Sequence, residues 1–173
     1  MSAAIVLSSS SPDETRGAGD RLGAVLRAGD VVLLSGELGA GKTVFVQGIA
    51  RGLGFDASVS SKSFVLLGEY PARVKLYHAD LYRLDLPEQV AELALEEISA
   101  DGVLAVEWPE RAGDGVLPEE HIRVEFEVTG EESRVLRVSG VGERAREMVN
   151  ALKVQGSDGE AQDSSRVVAE GGS

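Results

Sequence analysis

The segment Gly36-Glu37-Leu38-Gly39-Ala40-Gly41-Lys42-Thr43 has the spacing G-x-x-x-x-G-K-T, and those residue types in that order can hold the phosphates of a nucleoside triphosphate. In such a loop the backbone N–H groups, with those of the helix that follows, point inward around phosphate oxygens. Lys42 stands against the β- and γ-phosphates as a point charge, and the Thr43 hydroxyl takes one position on Mg²⁺. Glycine at 36, 39 and 41 suits a loop that needs left-handed backbone angles and lets phosphates approach with no Cβ between.

Two further stretches carry groups that fit this chemistry. Gly102 to Glu107 is an apolar run ending in an acid, the form of a buried strand that delivers a carboxylate to Mg²⁺, with glutamate where aspartate is commoner. Thr43 and Glu107 are thus the expected metal side of the site. Trp108, the single tryptophan, reads either as a wall beside the nucleotide or as an ordinary rim aromatic. His78-Ala79-Asp80-Leu81-Tyr82-Arg83 places a polar cluster at a strand end, where parallel α/β sheets put their chemistry. On the residues alone, an equal reading is a satisfied buried histidine beside a surface pair, Asp80 with Arg83.

The elements that must position these groups follow from pattern. Val31 to Leu34 is an aliphatic strand leading into the loop, and Thr43 to Leu53 is a helix with Phe45, Val46, Ile49, Ala50 and Leu53 at helical spacing, closed by Gly54. Before them, Ala3 to Leu7 reads as an edge strand or an arm. Ser11-Pro12-Asp13-Glu14 then opens a helix to about Arg27, with Gly17 and Gly19 as weak points in its interior and Thr15 on its surface. Ser58 to Tyr70 and Val74 to His78 read as two antiparallel strands joined across Glu69 to Arg73, so a mixed sheet is expected. Pro87 to Ile98 reads as one helix with Val90, Leu93, Ala94 and Ile98 on a shared face. His121 to Val128 and Arg134 to Ser139 form an antiparallel pair at one edge, and Glu143 to Leu152 is the last helix. The fold expected is a three-layer α/β P-loop NTPase-like domain over residues 1–154, with an acidic tail at 155–173 that has too little to bury to order itself.

Composition sets outer bounds. With 43% hydrophobic residues, 173 residues make one domain with a real core. A formal charge of −12 disfavours a protein that grips nucleic acid by itself. The absence of cysteine removes disulfides and thiolate metal sites. Neither a signal-like start nor a run of eighteen apolar residues is present, so a cytoplasmic protein without a membrane segment is expected.

Taken together, Gly36 to Thr43, Ser61-Lys62-Ser63-Phe64, His78 to Leu84 and Val106-Glu107-Trp108-Pro109-Glu110 resemble, in order and spacing, the TsaE family, also called YjeE. The resemblance spans about residues 10–150 and is specific, because H-x-D-L-Y-R-L and E-W-P-E are not general P-loop features. It implies a bacterial ATPase that acts with TsaB and TsaD in making threonylcarbamoyladenosine beside the anticodon of tRNA, with the transfer chemistry on TsaD. The cofactors it implies are ATP and Mg²⁺, and tRNA would be met indirectly through the complex. It implies phosphate binding on Glu37, Leu38, Gly39, Ala40, Gly41, Lys42 and Thr43, Mg²⁺ on Thr43 and Glu107, and a catalytic set of Lys42, Asp80 and Glu107, with Ser63, Tyr82, Arg83 and Trp108 forming a switch-like surface. Departures from the family pattern are Glu37 for aspartate, Val44 for a second threonine, and Lys62 for a proline. Competing readings are a small-molecule P-loop kinase and a nucleotide-dependent binding module without turnover. A GTPase is disfavoured because no N-K-x-D segment appears.

Overall fold

The structure, a computed structural model, describes residues 3–55 and 66–161, of which 154–161 are described through the backbone alone. Seven strands form one sheet in the order β1-β7-β6-β2-β5-β4-β3. Its centre is parallel: β2 (Val31–Ser35) lies between β5 (Gly102–Glu107) and β6 (His121–Val128), and β4 (Lys75–Asp80) follows β5. Both margins are antiparallel, with β3 (Leu67–Tyr70) on β4, and with β7 (Arg134–Val141) and β1 (Ala4–Ser9) beyond β6. The mixed α/β sheet is the one expected, and Ala4–Ser9 is an edge strand rather than an arm. Strands β2 and β5 are buried on both faces, which is why they read as unbroken apolar runs instead of alternating ones.

One face carries α1 (Pro12–Gly23), α2 (Lys42–Gly52) and α5 (Glu143–Ala161) over Val32, Leu34, Val103, Ala105, Ile122 and Val124. The other face carries α3 (Pro87–Glu92), α4 (Leu95–Ile98) and the residues around Trp108 to Leu117 over Val31, Leu33, Leu104 and Val106. Among the described residues no helix is long and apolar enough to cross a membrane.

Helix α1 starts as its sequence demands. The Ser11 hydroxyl accepts the Glu14 N–H at 3.2 Å, Pro12 sits in the first turn, and the Glu14 carboxylate accepts the Ser10 N–H at 2.7 Å. It ends at Gly23, short of the expected Arg27, because the chain tightens through bonds from Val25 to Leu22 and from Leu26 to Gly23 before turning at Gly29. Thr15, expected on the surface, is buried, with its hydroxyl 2.7 Å from that of Ser9 on β1.

The expected helix 87–98 is broken at Leu93–Ala94, where Ala94 takes φ 48°. The reason is angular. Val90 and Leu95 are both buried, yet five residues apart on a straight helix they would point about 140° from each other. The break brings both onto the sheet and leaves Ile98, expected inward, half exposed. Helix α5 runs on to Ala161, past the expected end at Leu152 and into the segment expected as a tail, despite Gly156 and Gly159, which each cost a helix about 1 kcal/mol relative to alanine. The strand residues expected from Ser58 to Val65, and the rest of the tail from 162 onward, lie outside the described residues.

Glycine lets α1 and α2 meet backbone to backbone. A Cβ at Gly19 would come within 2.1 Å of the Phe45 carbonyl oxygen, and one at Gly23 within 2.3 Å of that of Ile49. From the other side, Cβ atoms at Gly48 and Gly52 would lie 2.0 Å and 2.2 Å from the Arg16 and Asp20 oxygens. Gly19, read as a weak point, is therefore half of a packing seam that fixes the P-loop helix against its neighbour. Gly17 has open space around it. Gly48→Ala is accordingly expected to lower unfolding stability by about 3 kcal/mol through overpacking. Gly17→Ala is expected to raise it by about 0.5–1 kcal/mol. Urea unfolding of both variants checks the pair.

Candidate functional site

Strands β2, β5 and β4 end side by side, and their register sets the site. Glu107 pairs with Leu34 on one side and with Asp80 on the other. The loop after β2 therefore opens beside one carboxylate, with the second a strand further on, in the crevice where open α/β sheets place ligands. Side chains alternate along a strand, so His78 and Asp80 share the face of Leu76, which packs in the core beneath α1 and α2. The start of α2 brings Lys42 and Thr43 onto the same crevice.

The loop itself is built by conformations only glycine adopts freely. Gly39 has φ 80° and Gly41, the residue capping α2, has φ 100°. The Ala40 N–H closes a turn onto the Glu37 carbonyl at 3.1 Å, and the Ala40 methyl is fully buried. The resulting cleft, about 280 Å³, is lined by Leu38 to Val44 together with Asp80, Tyr82, Glu107 and Trp108. Glu37 is exposed and outside that lining.

Lys42 and Glu107 are the buried charges of the cleft, 4% and 3% exposed. The Lys42 ammonium donates to the Gly36 carbonyl and lies 3.6 Å from the centre of the Trp108 ring. Loss of water lowers its affinity for a proton, and the charges of Glu107, Glu110 and Asp80 oppose that fall. The Glu107 carboxylate has the Thr43 hydroxyl 3.2 and 3.3 Å from its two oxygens and the His78 Nε2 2.5 Å from Oε2. A hydroxyl carries one proton, so Thr43 serves one of these oxygens at a time. His78 is thus a satisfied buried histidine with a stated partner, and it fixes the carboxylate that faces the loop. Asp80 caps its own turn by accepting the Tyr82 N–H at 3.1 Å.

The rim is aromatic. Tyr82 and Trp108 have ring centres 4.9 Å apart, and the Arg111 guanidinium stands 5.8 and 6.0 Å from them. Trp108 takes φ 61°, a backbone state that bulky residues seldom adopt, and this turns the indole back over Lys42. From the far side, the Arg134 guanidinium donates to the Ala40 and Gly39 carbonyls at 3.0 and 3.3 Å. Sequence reasoning missed Arg134 because no local pattern ties residues 94 and 95 positions apart. Of the expected site residues, Lys42, Thr43, Asp80, Glu107, Tyr82 and Trp108 converge; Arg83 is exposed and outside the lining, and Ser61 to Phe64 lie outside the described residues.

A glycine-rich loop between a parallel strand and a helix, facing a carboxylate on the neighbouring strand, defines a P-loop NTPase-like domain. A family model described as threonylcarbamoyl adenosine biosynthesis protein TsaE matches residues 9–136. The chain belongs to the TsaE family. A relative from Treponema pallidum (strain Nichols), named tRNA threonylcarbamoyladenosine biosynthesis protein TsaE, is 38% identical over 132 residues, covering 76% of this chain and 97% of its own. One of the same name from Streptomyces coelicolor is 40% identical over 134 residues, covering 73% and 90%. The crystal structure of Bacillus subtilis YdiB superposes with a TM-score of 0.75 at 30% identity, covering 90% of this chain and 97% of that one.

The contact between Lys42 and Trp108 gives a direct optical test. A phosphate entering the cleft competes for the ammonium and draws it from the ring, so Mg²⁺–ATP is expected to change the emission of the single tryptophan saturably. Lys42→Met should abolish the change. A fluorescence titration checks both, and an unchanged spectrum in the parent protein would mean that no phosphate displaces the ammonium from the ring.

Proposed function

We propose that this chain binds ATP with Mg²⁺ and hydrolyses it slowly in the cytoplasm, as the nucleotide-dependent member of an assembly with TsaB and TsaD that forms threonylcarbamoyladenosine next to the tRNA anticodon. The observation that carries the reading is the meeting of Thr43 and Glu107 at 3.2 Å across the mouth of a glycine-rich loop whose lysine is buried. The donors fit the ions. Among the described residues no cluster of three or more His, Cys, Asp or Glu forms a cage, while a hydroxyl and a carboxylate oxygen suit Mg²⁺, which keeps waters and takes phosphate oxygens as its other ligands. The N-terminus of α2 and the Lys42 ammonium line the cleft, which fits a triphosphate chain.

In this reading each residue has one task. The loop from Glu37 to Thr43 wraps the phosphates, with Glu37 contributing through its backbone. Lys42 balances charge on the β- and γ-phosphates, and Thr43 and Glu107 hold Mg²⁺, which when bound neutralises charge on the phosphate oxygens. His78 keeps the Glu107 carboxylate aimed at the loop. Asp80 orients the attacking water or holds a water on the metal. Trp108 and Tyr82 wall the cleft from solvent. Threonylcarbamoyl transfer belongs to TsaD, and the −12 charge of this chain leaves most of the grip on tRNA to its partners.

The rim supports a second reading. Leu38 and Tyr82 are 70% and 41% exposed beside the cleft, so occupancy alone would alter an apolar surface that a partner can read, with turnover incidental. A small-molecule kinase fits less well, because such an enzyme usually closes an arginine-bearing helical lid over the γ-phosphate, and no such lid insertion is present among the described residues.

Hydrolysis separates the readings. With Mg²⁺–ATP the protein is expected to turn over slowly alone and faster with TsaB and TsaD added. Asp80→Ala and Glu107→Ala should still bind ATP while losing at least about tenfold in rate, the scale of an acid–base or electrostatic group. Parent-level turnover in either variant would remove its assigned role, and bound ATP with no turnover in any mixture would favour the binding module.

A further inference from the structure

Arg134 opens β7 directly after the turn that joins it to β6, and its side chain leaves the sheet to reach the back of the glycine-rich loop. Nε donates to the Ala40 carbonyl at 3.0 Å and Nη2 to the Gly39 carbonyl at 3.3 Å. Nη1 donates to the carbonyls of Gly130, Glu131 and Ser133 at 3.0, 3.3 and 2.8 Å. Among the described residues every acceptor of this guanidinium is a main-chain carbonyl. Arg137, three residues on, is an ordinary surface arginine paired with the Glu127 carboxylate at 2.7 Å. The two arginines of one strand thus do different things.

The peptide plane gives the Arg134 contacts their meaning. In a trans peptide the C=O and the next N–H point in opposite directions. Holding the Gly39 and Ala40 carbonyls therefore sets the directions of the Ala40 and Gly41 N–H groups: that of Ala40 closes the turn onto the Glu37 carbonyl at 3.1 Å, and that of Gly41 points away from the guanidinium. These peptides lie among residues with φ 80° and φ 100°, where the backbone has the most freedom to rotate away. A planar fork with fixed donors can lock two successive peptides at once, which a single ammonium cannot. The positive charge behind the Ala40 carbonyl also polarises its peptide, making the Gly41 N–H a better donor to an anion.

We infer that Arg134 is a positioning residue for phosphate binding: it clamps the glycine-rich loop to the turn between β6 and β7, holding the Glu37–Ala40 turn closed and the Gly41 N–H in a fixed direction for a phosphate. This rests on the ATP-binding reading above for its ligand, but the clamp exists without a ligand. It also makes the β6–β7 turn part of the site, so anything that displaces that turn loosens the loop.

The experiment uses the full chain as Arg134→Ala, Arg134→Lys and, as a matched surface control, Arg137→Ala. Amide hydrogen exchange of residues 36–44 without nucleotide is expected to speed up at least tenfold in Arg134→Ala, less in Arg134→Lys, and not in Arg137→Ala. Equilibrium binding of Mg²⁺–ATP is expected to weaken about tenfold in Arg134→Ala. Millimolar guanidinium ion, well below denaturing concentrations, should restore part of that affinity, a rescue that general destabilisation would not show. Loop exchange and ATP affinity unchanged in Arg134→Ala, or lowered equally in Arg137→Ala, would overturn the clamp. A parent protein that fails to bind ATP while Arg134→Ala still frees the loop would sink the ATP reading and leave the clamp standing.

Discussion

The structure depends on keeping one anion buried at the end of β5. A carboxylate that is 3% exposed is tolerated only when its lone pairs are met, and Glu107 meets a threonine hydroxyl from α2, a histidine from β4 and the field of a buried lysine. Those partners come from residues 42, 43 and 78, far apart in the chain, so burying Glu107 requires β2, β4 and β5 to be adjacent and in register. The same requirement assembles the cleft. Each charge that is costly to bury alone becomes affordable beside the others, and the loop and the aromatic rim line the cleft above them.

The scaffold then serves to keep that corner stiff. The glycine seam between α1 and α2 sets the P-loop helix, and the buried Thr15, which packs near Gly41, ties the start of α1 to the loop. At the opposite end of β2, Asp30 takes two bonds of 2.9 Å from Arg144 and one of 2.7 Å from the Arg27 N–H, locking α5 to the turn that feeds the strand. The Arg144 guanidinium is held further in its charged form by that carboxylate. Both ends of the central strand are thus pinned by charge-assisted contacts, while its middle is held by apolar burial from two faces.

Much of this is legible in the residues themselves. Gly36 to Thr43 announces a strand, a loop and a helix because phosphate binding needs those residue types consecutively, and Val103 to Glu107 announces a buried strand because nothing in it is polar before the acid. The mixed sheet followed from the antiparallel strands read on either side of the Pro71 turn. What stayed hidden depends on pairs distant in sequence. Gly19 looks like a defect until Phe45 is placed against it, Thr15 looks exposed until β1 is laid beside α1, and Arg134 looks like any strand residue until the loop is folded behind it. The break at Ala94 was hidden for a related reason, because a helical pattern shows that residues can share a face and cannot show where the sheet lies.

The proposed ATP site stands on Lys42. Equilibrium dialysis of the purified chain against ATP and Mg²⁺, beside Lys42→Ala with its folding checked by thermal melting, tests it most directly. The account expects one ATP per chain in the parent protein and a loss of affinity of at least a hundredfold in the variant. Equal binding by the two proteins, or none by the parent, would contradict it.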